Sequence, residues 1–170
     1  MCLIVLAWEA SPKTRLAVAA NRDEFFARRA APAAWWKGAP DVLAGRDLGA
    51  GGTWLGVTRK GRFAALTNFR DGSASKKDGA PSRGALAADF LRGDATAADY
   101  VAAIQSGAGR YHGFNLLVSD GAELWSFSRS FATSAQSSDE PPRPCSRTSV
   151  PFDFFAAIAQ NPTGRGVAQW

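Results

Sequence analysis

The chain has 170 residues, 46% hydrophobic and 21% charged, which fits one globular domain and excludes a disordered chain. Its two cysteines, Cys2 and Cys145, exclude a disulfide framework, and its single histidine, His112, excludes a His-rich metal site. The net charge is +5, but the basic residues are dispersed, with Lys76-Lys77 the only lysine pair and Arg28-Arg29 the only arginine pair, so no nucleic acid is expected as a partner.

Residues 3–8 form a short apolar run that includes Ile4 and Val5, and they read as a buried strand. Ser11-Pro12-Lys13-Thr14 is a turn, and residues 16–20 are a second apolar segment, so the two should pair as a hairpin. That hairpin leads straight into Asn21-Arg22-Asp23-Glu24, a polar cluster placed at a strand end. Residues 27–52 read as irregular, because they hold Pro32, Pro40, Trp35-Trp36 and the glycines 49, 51 and 52. Residues 53–58 and 62–69 should form a hairpin around Lys60-Gly61, and their poor alternation suits strands covered on both faces. A polar loop over 71–81 follows.

A helix is expected over 82–92, capped by Ser82, with Leu86, Phe90 and Leu91 on one face and Gly93 ending it. A second is expected over 96–105, where Thr96 and Asp99 make a variant capping box and Tyr100, Val101 and Ile104 an apolar stripe. Residues 114–119 and 123–127 should form a hairpin over Asp120-Gly121. Strands, then helices, then strands point to an α+β fold with helices packed on a sheet. Beyond Arg129 the composition turns rich in Ser, Pro and Arg. Residues 1–129 are therefore expected to be the domain, 130–150 a linker or disordered stretch, and 151–170 an irregular tail in which 151–160 form either a short helix or an exposed sticky segment. No apolar run reaches the roughly 20 residues that span a bilayer, so no transmembrane segment is expected. The N-terminus also lacks the flanks of a signal peptide, and the expected location is the cytoplasm.

Cys2 is the sharpest chemical feature. Removal of Met1 would set its thiol beside a free α-amino group, whose pKa of roughly 7.7–8.0 lies just below the roughly 8.5 of a thiol. Such an amine can serve as general base for its own side chain, with no histidine needed. The plainer reading is a small buried hydrophobe at a strand start. Arg22 beside Asp23 and Glu24 can hold a charged group and favour a thiolate. The alternative there is a solvated turn with an ion pair. A glycosidase-type carboxylate pair is excluded, because adjacent strand residues point to opposite faces. Asn68 closes a strand and can offer its side-chain amide to an oxyanion, or it is a turn residue. Gly49-Ala50-Gly51-Gly52 is a weak phosphate-cradle signal, since no Lys-Ser/Thr follows and no helix opens there.

Several ordered motifs then stand together: Met1-Cys2-Leu3-Ile4, Ala19-Ala20-Asn21-Arg22-Asp23-Glu24-Phe25, Leu43-Ala44-Gly45-Arg46-Asp47, Gly51-Gly52-Thr53-Trp54-Leu55-Gly56, Ala64-Ala65-Leu66-Thr67-Asn68-Phe69, Ser82-Arg83-Gly84 and Gly113-Phe114-Asn115-Leu116-Leu117. In these the chain resembles the NRDE-motif family of transport and Golgi organisation proteins over residues 1–128. That family looks related to the N-terminal nucleophile (Ntn) hydrolases, whose cysteine members cleave linear amides. The resemblance implies a partial four-layer αββα sandwich. It implies Cys2 as nucleophile, Arg22 and Asp23 as the nearest matches to an Arg and an Asp at the end of the second strand, with Asn21 and Glu24 as alternatives, and Asn68 in the oxyanion hole.

The later motifs of the family are missing after Arg129. The implied chain is a truncated member whose tail replaces the second half, a shifted reading frame being one cause. Half a sandwich leaves sheet edges open to self-association. The expected activity is hydrolysis of a C–N bond, with a small-molecule amide or acyl ligand as partner and no cofactor. The alternatives are a non-catalytic binder of haem or an acyl-type lipid, with His112, Cys2 and Cys145 the available haem ligands, and an inactive fragment.

Overall fold

The computed structural model describes residues 2–68, 79–129, 143–144 and 155–159, the last two stretches only as strands. The chain opens with β1 (Cys2–Ser11) and β2 (Thr14–Asn21), an antiparallel hairpin in which Leu3 faces Asn21 and Trp8 faces Leu16. Period-two alternation puts Ile4 and Leu6 on one face, each 1% exposed, with Trp8, Leu16 and Val18 packed beside them.

Two strands follow where the sequence reads as irregular: β3 (Ala30–Trp36) and β4 (Ala39–Asp47). The physical reason lies in their position. β3 is an edge strand of its sheet, so Pro32 can sit in it without removing a shared ladder bond, and the β3–β4 register shifts on either side of the mismatched stretches. The expected hairpins are present as β5 (Leu55–Thr58) with β6 (Phe63–Asn68), and β7 (Phe114–Ser119) with β8 (Leu124–Arg129). Gly121 turns the second of these at φ 92°, a conformation that favours glycine.

Helix α1 (Gly84–Arg92) begins later than expected, and Ser82 does not cap it through its side chain. The Ser82 carbonyl instead accepts from the Ala85 amide at 3.2 Å. Gly93 ends the helix, its amide donating to the Asp89 carbonyl. Helix α2 (Ala97–Gly107) starts at Thr96 as the capping box requires: the Asp99 amide donates to Thr96 Oγ1 at 3.1 Å and that hydroxyl donates to Asp99 Oδ2 at 2.8 Å.

β3 to β8 join in order into one sheet, extended by the short β9 (Arg143–Pro144) to seven strands. Its central strand β6 is buried on both faces. Ala64, Leu66, Leu116 and Val118 pack with Phe90, Leu91 and Val101 of the two helices. Phe63, Ala65, Leu117 and Leu124 pack with Ile4 and Leu6 of the hairpin. The result is a mixed α+β architecture with helices, a seven-stranded sheet and a smaller sheet in successive layers. Full burial of side chains such as Phe63, Phe90 and Phe114 contributes about 1.5–3 kcal/mol each.

The smaller sheet has the order β10-β1-β2, with β10 being Phe155–Ala159. Where a short helix is expected in the tail, these residues are a strand, because the edge of β1 offers a row of backbone donors and acceptors that they satisfy from Cys2↔Ala159 to Leu6↔Phe155. The rest of the expected linker and tail, and most of the 71–81 loop, lie outside the described residues. Among the described residues no helix is long and apolar enough to cross a membrane.

Candidate functional site

The β1–β2 hairpin decides where Cys2 and the Asn21-Arg22-Asp23-Glu24 cluster meet. Antiparallel pairing brings the start of one strand to the end of the other, so Cys2 sits opposite the residues that follow Asn21. Asn21 closes that corner, its Oδ1 accepting from the Leu3 amide at 3.0 Å. The Asp23 amide donates to Cys2 Sγ at 3.4 Å, and the thiol donates to the Asp23 carbonyl at 3.6 Å. The thiol is half-buried.

Arg22 and Glu24 pair at 3.1 Å, with side chains 12% and 16% exposed. Glu24 also meets Arg28, four residues on, at 3.7 Å. Arg28 in turn donates through Nε to Asp47 Oδ2 at 2.9 Å. This chain of ion pairs clamps the segment after β2 onto the end of β4. Its hydrogen bond with Asp47 holds the Arg28 guanidinium above its ordinary pKa. Burial alone would raise the Asp47 carboxyl. The amides of Ala50 and Gly49 and the Arg28 guanidinium outweigh it and hold the carboxyl below the usual range.

The same contacts dispose of the phosphate-cradle reading of residues 49–52. Asp47 Oδ1 accepts from the amides of Gly49 at 2.9 Å and Ala50 at 3.0 Å, and the Asp47 carbonyl accepts from Gly51 at 3.0 Å. These three amides are turned onto Asp47, two onto its carboxylate and one onto its carbonyl.

A cavity of about 830 Å³ opens beside this corner. All four residues singled out from the sequence line it: Cys2, Arg22, Asp23 and Asn68. Asn68 arrives from the other sheet, at the end of β6 opposite Phe114 of β7. The apolar wall comes from β3, β4 and β5, with Leu43 and Leu55 among its members, and from Trp54 just before β5. Arg28, Arg46, Asp47, Arg83 and His112 line the cavity as well. The sequence offers His112 only as a haem ligand and points to no role for the other four, although Arg46-Asp47 and Arg83 lie inside the ordered motifs. Arg83 is held by the Gly113 carbonyl, to which Nη1 donates at 2.8 Å. Arg46 stacks on Trp36 with its guanidinium carbon 4.9 Å from the ring centroid.

A thiol, an imidazole, a carboxamide and several guanidinium groups thus share a half-apolar chamber. That is a set able to bind a carbonyl compound and attack it. Cys2 and His112 are also the chamber's two donors suited to a haem iron. Among the described residues no group of three or more His, Cys, Asp and Glu is placed to hold a metal ion.

The family described as Transport and Golgi organisation 2 matches residues 1–157, past Arg129 where the quoted motifs stop. The chain is 38% identical over 127 residues to a bovine Transport and Golgi organization protein 2 homolog, covering 71% of this chain and 45% of that protein. It is 35% identical over 127 residues to the human homolog, with the same coverage of 71% and 45%. To the Transport and Golgi organization protein 2 of Drosophila melanogaster it is 38% identical over 100 residues, 54% of this chain and 35% of that protein. The matched region is therefore less than half the length of these relatives.

Proposed function

The chain belongs to the transport and Golgi organisation 2 family, and on that premise we propose that it is an Ntn-type cysteine hydrolase of linear amide bonds. The observation that carries this reading is the convergence of Cys2, Arg22, Asp23 and Asn68, from two sheets, on one cavity.

With Met1 removed, the α-amino group takes the proton of the Cys2 thiol. The sulfur attacks the carbonyl carbon, and the C–O π pair moves onto oxygen. Asn68 and backbone amides meet that oxyanion. The tetrahedral adduct collapses, the C–N bond breaks, and the leaving amine takes the proton from the ammonium. Water, deprotonated by the same α-amine, then hydrolyses the thioester, releasing a carboxylic acid and restoring the thiol. Arg22 and Asp23 are positioning residues for the N-terminus and the thiol.

The test is a panel of N-acyl amides incubated with the purified full chain. Turnover that Cys2→Ser and Cys2→Ala abolish supports the reading. Turnover that persists in Cys2→Ala overturns it, as does the absence of turnover when Met1 is shown to be gone.

A second reading, non-catalytic binding of haem or an acyl-type lipid, draws on the apolar wall and on the presence of Cys2 and His112 in the same chamber. It predicts a Soret band that shifts with His112→Ala or Cys2→Ala, whether or not Met1 is retained.

A further inference from the structure

The described residues expose few large apolar side chains, and three of them come from two neighbouring segments. Phe25 is 66% exposed, Phe26 76% and Leu48 51%. These segments are held against each other. The Leu48 amide donates to the Arg29 carbonyl at 3.0 Å, and Arg28 ties onto Asp47. A turn closed by the Arg28 amide on the Phe25 carbonyl at 2.9 Å presents the two phenylalanines. Adjacent exposed phenylalanines on an ordered turn are unlike scattered surface apolar residues, which need no explanation.

The charges around them are sorted. In residues 22–29 and 46–48 the acids Asp23, Glu24 and Asp47 are half-buried, whereas Arg28, Arg29 and Arg46 are exposed. The exposed charge of the two segments is therefore all basic. Aromatic side chains at the centre and guanidinium groups beside them form the composition that settles at an anionic lipid–water interface. There the rings enter below the headgroups and the cations meet their negative charge.

We propose that the segments 25–29 and 46–48 dock this protein peripherally on an anionic lipid surface, with Phe25, Phe26 and Leu48 entering the interface and Arg29 and Arg46 meeting the headgroups. Glu24, Arg28 and Asp47 belong both to this clamp and to the cavity lining, so docking sets the cavity beside the membrane surface. The proposal does not depend on Cys2 chemistry, since it uses neither the thiol nor the N-terminus.

The experiment is co-sedimentation of the full chain with phosphatidylcholine vesicles, with and without phosphatidylserine. The chain is expected to pellet with the phosphatidylserine vesicles and to be released by salt. Phe25→Ala with Phe26→Ala should lower partitioning by about tenfold or more per phenylalanine while leaving the melting temperature unchanged, because both rings are exposed. Arg29→Glu should weaken binding to the anionic vesicles only. Failure of the wild-type chain to bind either vesicle overturns the proposal. So does equal binding to both vesicle types, or unchanged binding of the double phenylalanine variant. Self-association that is lost in that variant, without vesicle binding, would assign the patch to a second copy of the chain and equally overturn it.

Discussion

The main chain of Asp23 brackets the Cys2 sulfur, its amide donating at 3.4 Å and its carbonyl accepting from the thiol at 3.6 Å. Backbone atoms of Asp23 thus help to fix the position of the thiol. Asp23→Ala should leave Cys2 open to alkylation at near the wild-type rate. It should lower kcat on an amide substrate by about 100-fold, the scale of a misplaced reacting group. Alkylation kinetics and turnover on the same preparation check this. Loss of alkylation would show that the carboxylate builds the site.

Gly52 and Gly84 pack backbone to backbone beneath the cavity. A Cβ on Gly52, at φ +90°, would lie 2.5 Å from the Gly84 carbonyl carbon and 2.9 Å from the Ala85 nitrogen. Thr53 and Gly84 are joined there by a 3.1 Å hydrogen bond. Gly52→Ala should therefore destabilise the fold by about 2–4 kcal/mol in urea unfolding, combining left-handed strain with a clash against helix α1. Gly51→Ala is the control: its φ is +73° but its Cβ would meet nothing within 4 Å, so only about 1–2 kcal/mol of strain is expected.

Asp120 couples α2 to the β7–β8 hairpin. Its carboxylate accepts from the amides of Ala97 at 2.9 Å, Ala122 at 2.9 Å and Glu123 at 3.0 Å. Burial would raise this carboxyl, but those amides hold it below the usual range. A carboxyl lowered in the folded state stabilises the fold above its unfolded value of roughly 3.9 and loses that contribution as pH falls through the folded value. Asp47 acts in the same direction. Stability should stay level on the Asp120 and Asp47 account from pH 7 to about pH 5 and fall below about pH 4. Asp120→Ala should cost about 1.5–3 kcal/mol at pH 7 and flatten the acid limb of the stability curve.

Arg62 bridges the end of α1. It is 7% exposed, donates through Nε to the Phe90 carbonyl at 3.1 Å and through Nη2 to the Ala95 carbonyl at 2.8 Å, and stacks 4.0 Å from the Phe90 ring centroid. Burial lowers its pKa, yet a guanidinium stays protonated at neutral pH. Arg62→Ala should cost about 2–4 kcal/mol, because it strips two carbonyls of a charged donor and opens a cavity. Arg62→Lys should recover only part of this, since one ammonium lacks the planar fork that reaches both carbonyls. Thermal unfolding of the three proteins checks the order.

Much of the fold is legible where signals are local. The Leu3-to-Trp8 apolar run, the Thr96 cap and the Asp120-Gly121 turn each identify an element from neighbouring residues alone. β3 and β4 are not legible, because Pro32 is tolerated only through the edge position of β3, a property of the whole sheet. Ser82 is misread as a helix cap because the start of α1 is set by its contact with Gly52 and Thr53, distant in sequence. Of the residues that line the cavity, Cys2 and Asn68 stand out in the sequence by type and motif. His112 and Arg83 join them only through the tertiary packing that forms the cavity.

The most direct test of the central claim is intact-mass analysis of the purified chain with time-resolved alkylation, reading Cys2 against Cys145 as the internal reference. The account predicts that Met1 is absent and that Cys2 is modified faster than Cys145 at neutral pH. A retained Met1, or a Cys2 that reacts no faster than Cys145, would contradict the assignment of Cys2 as the nucleophile.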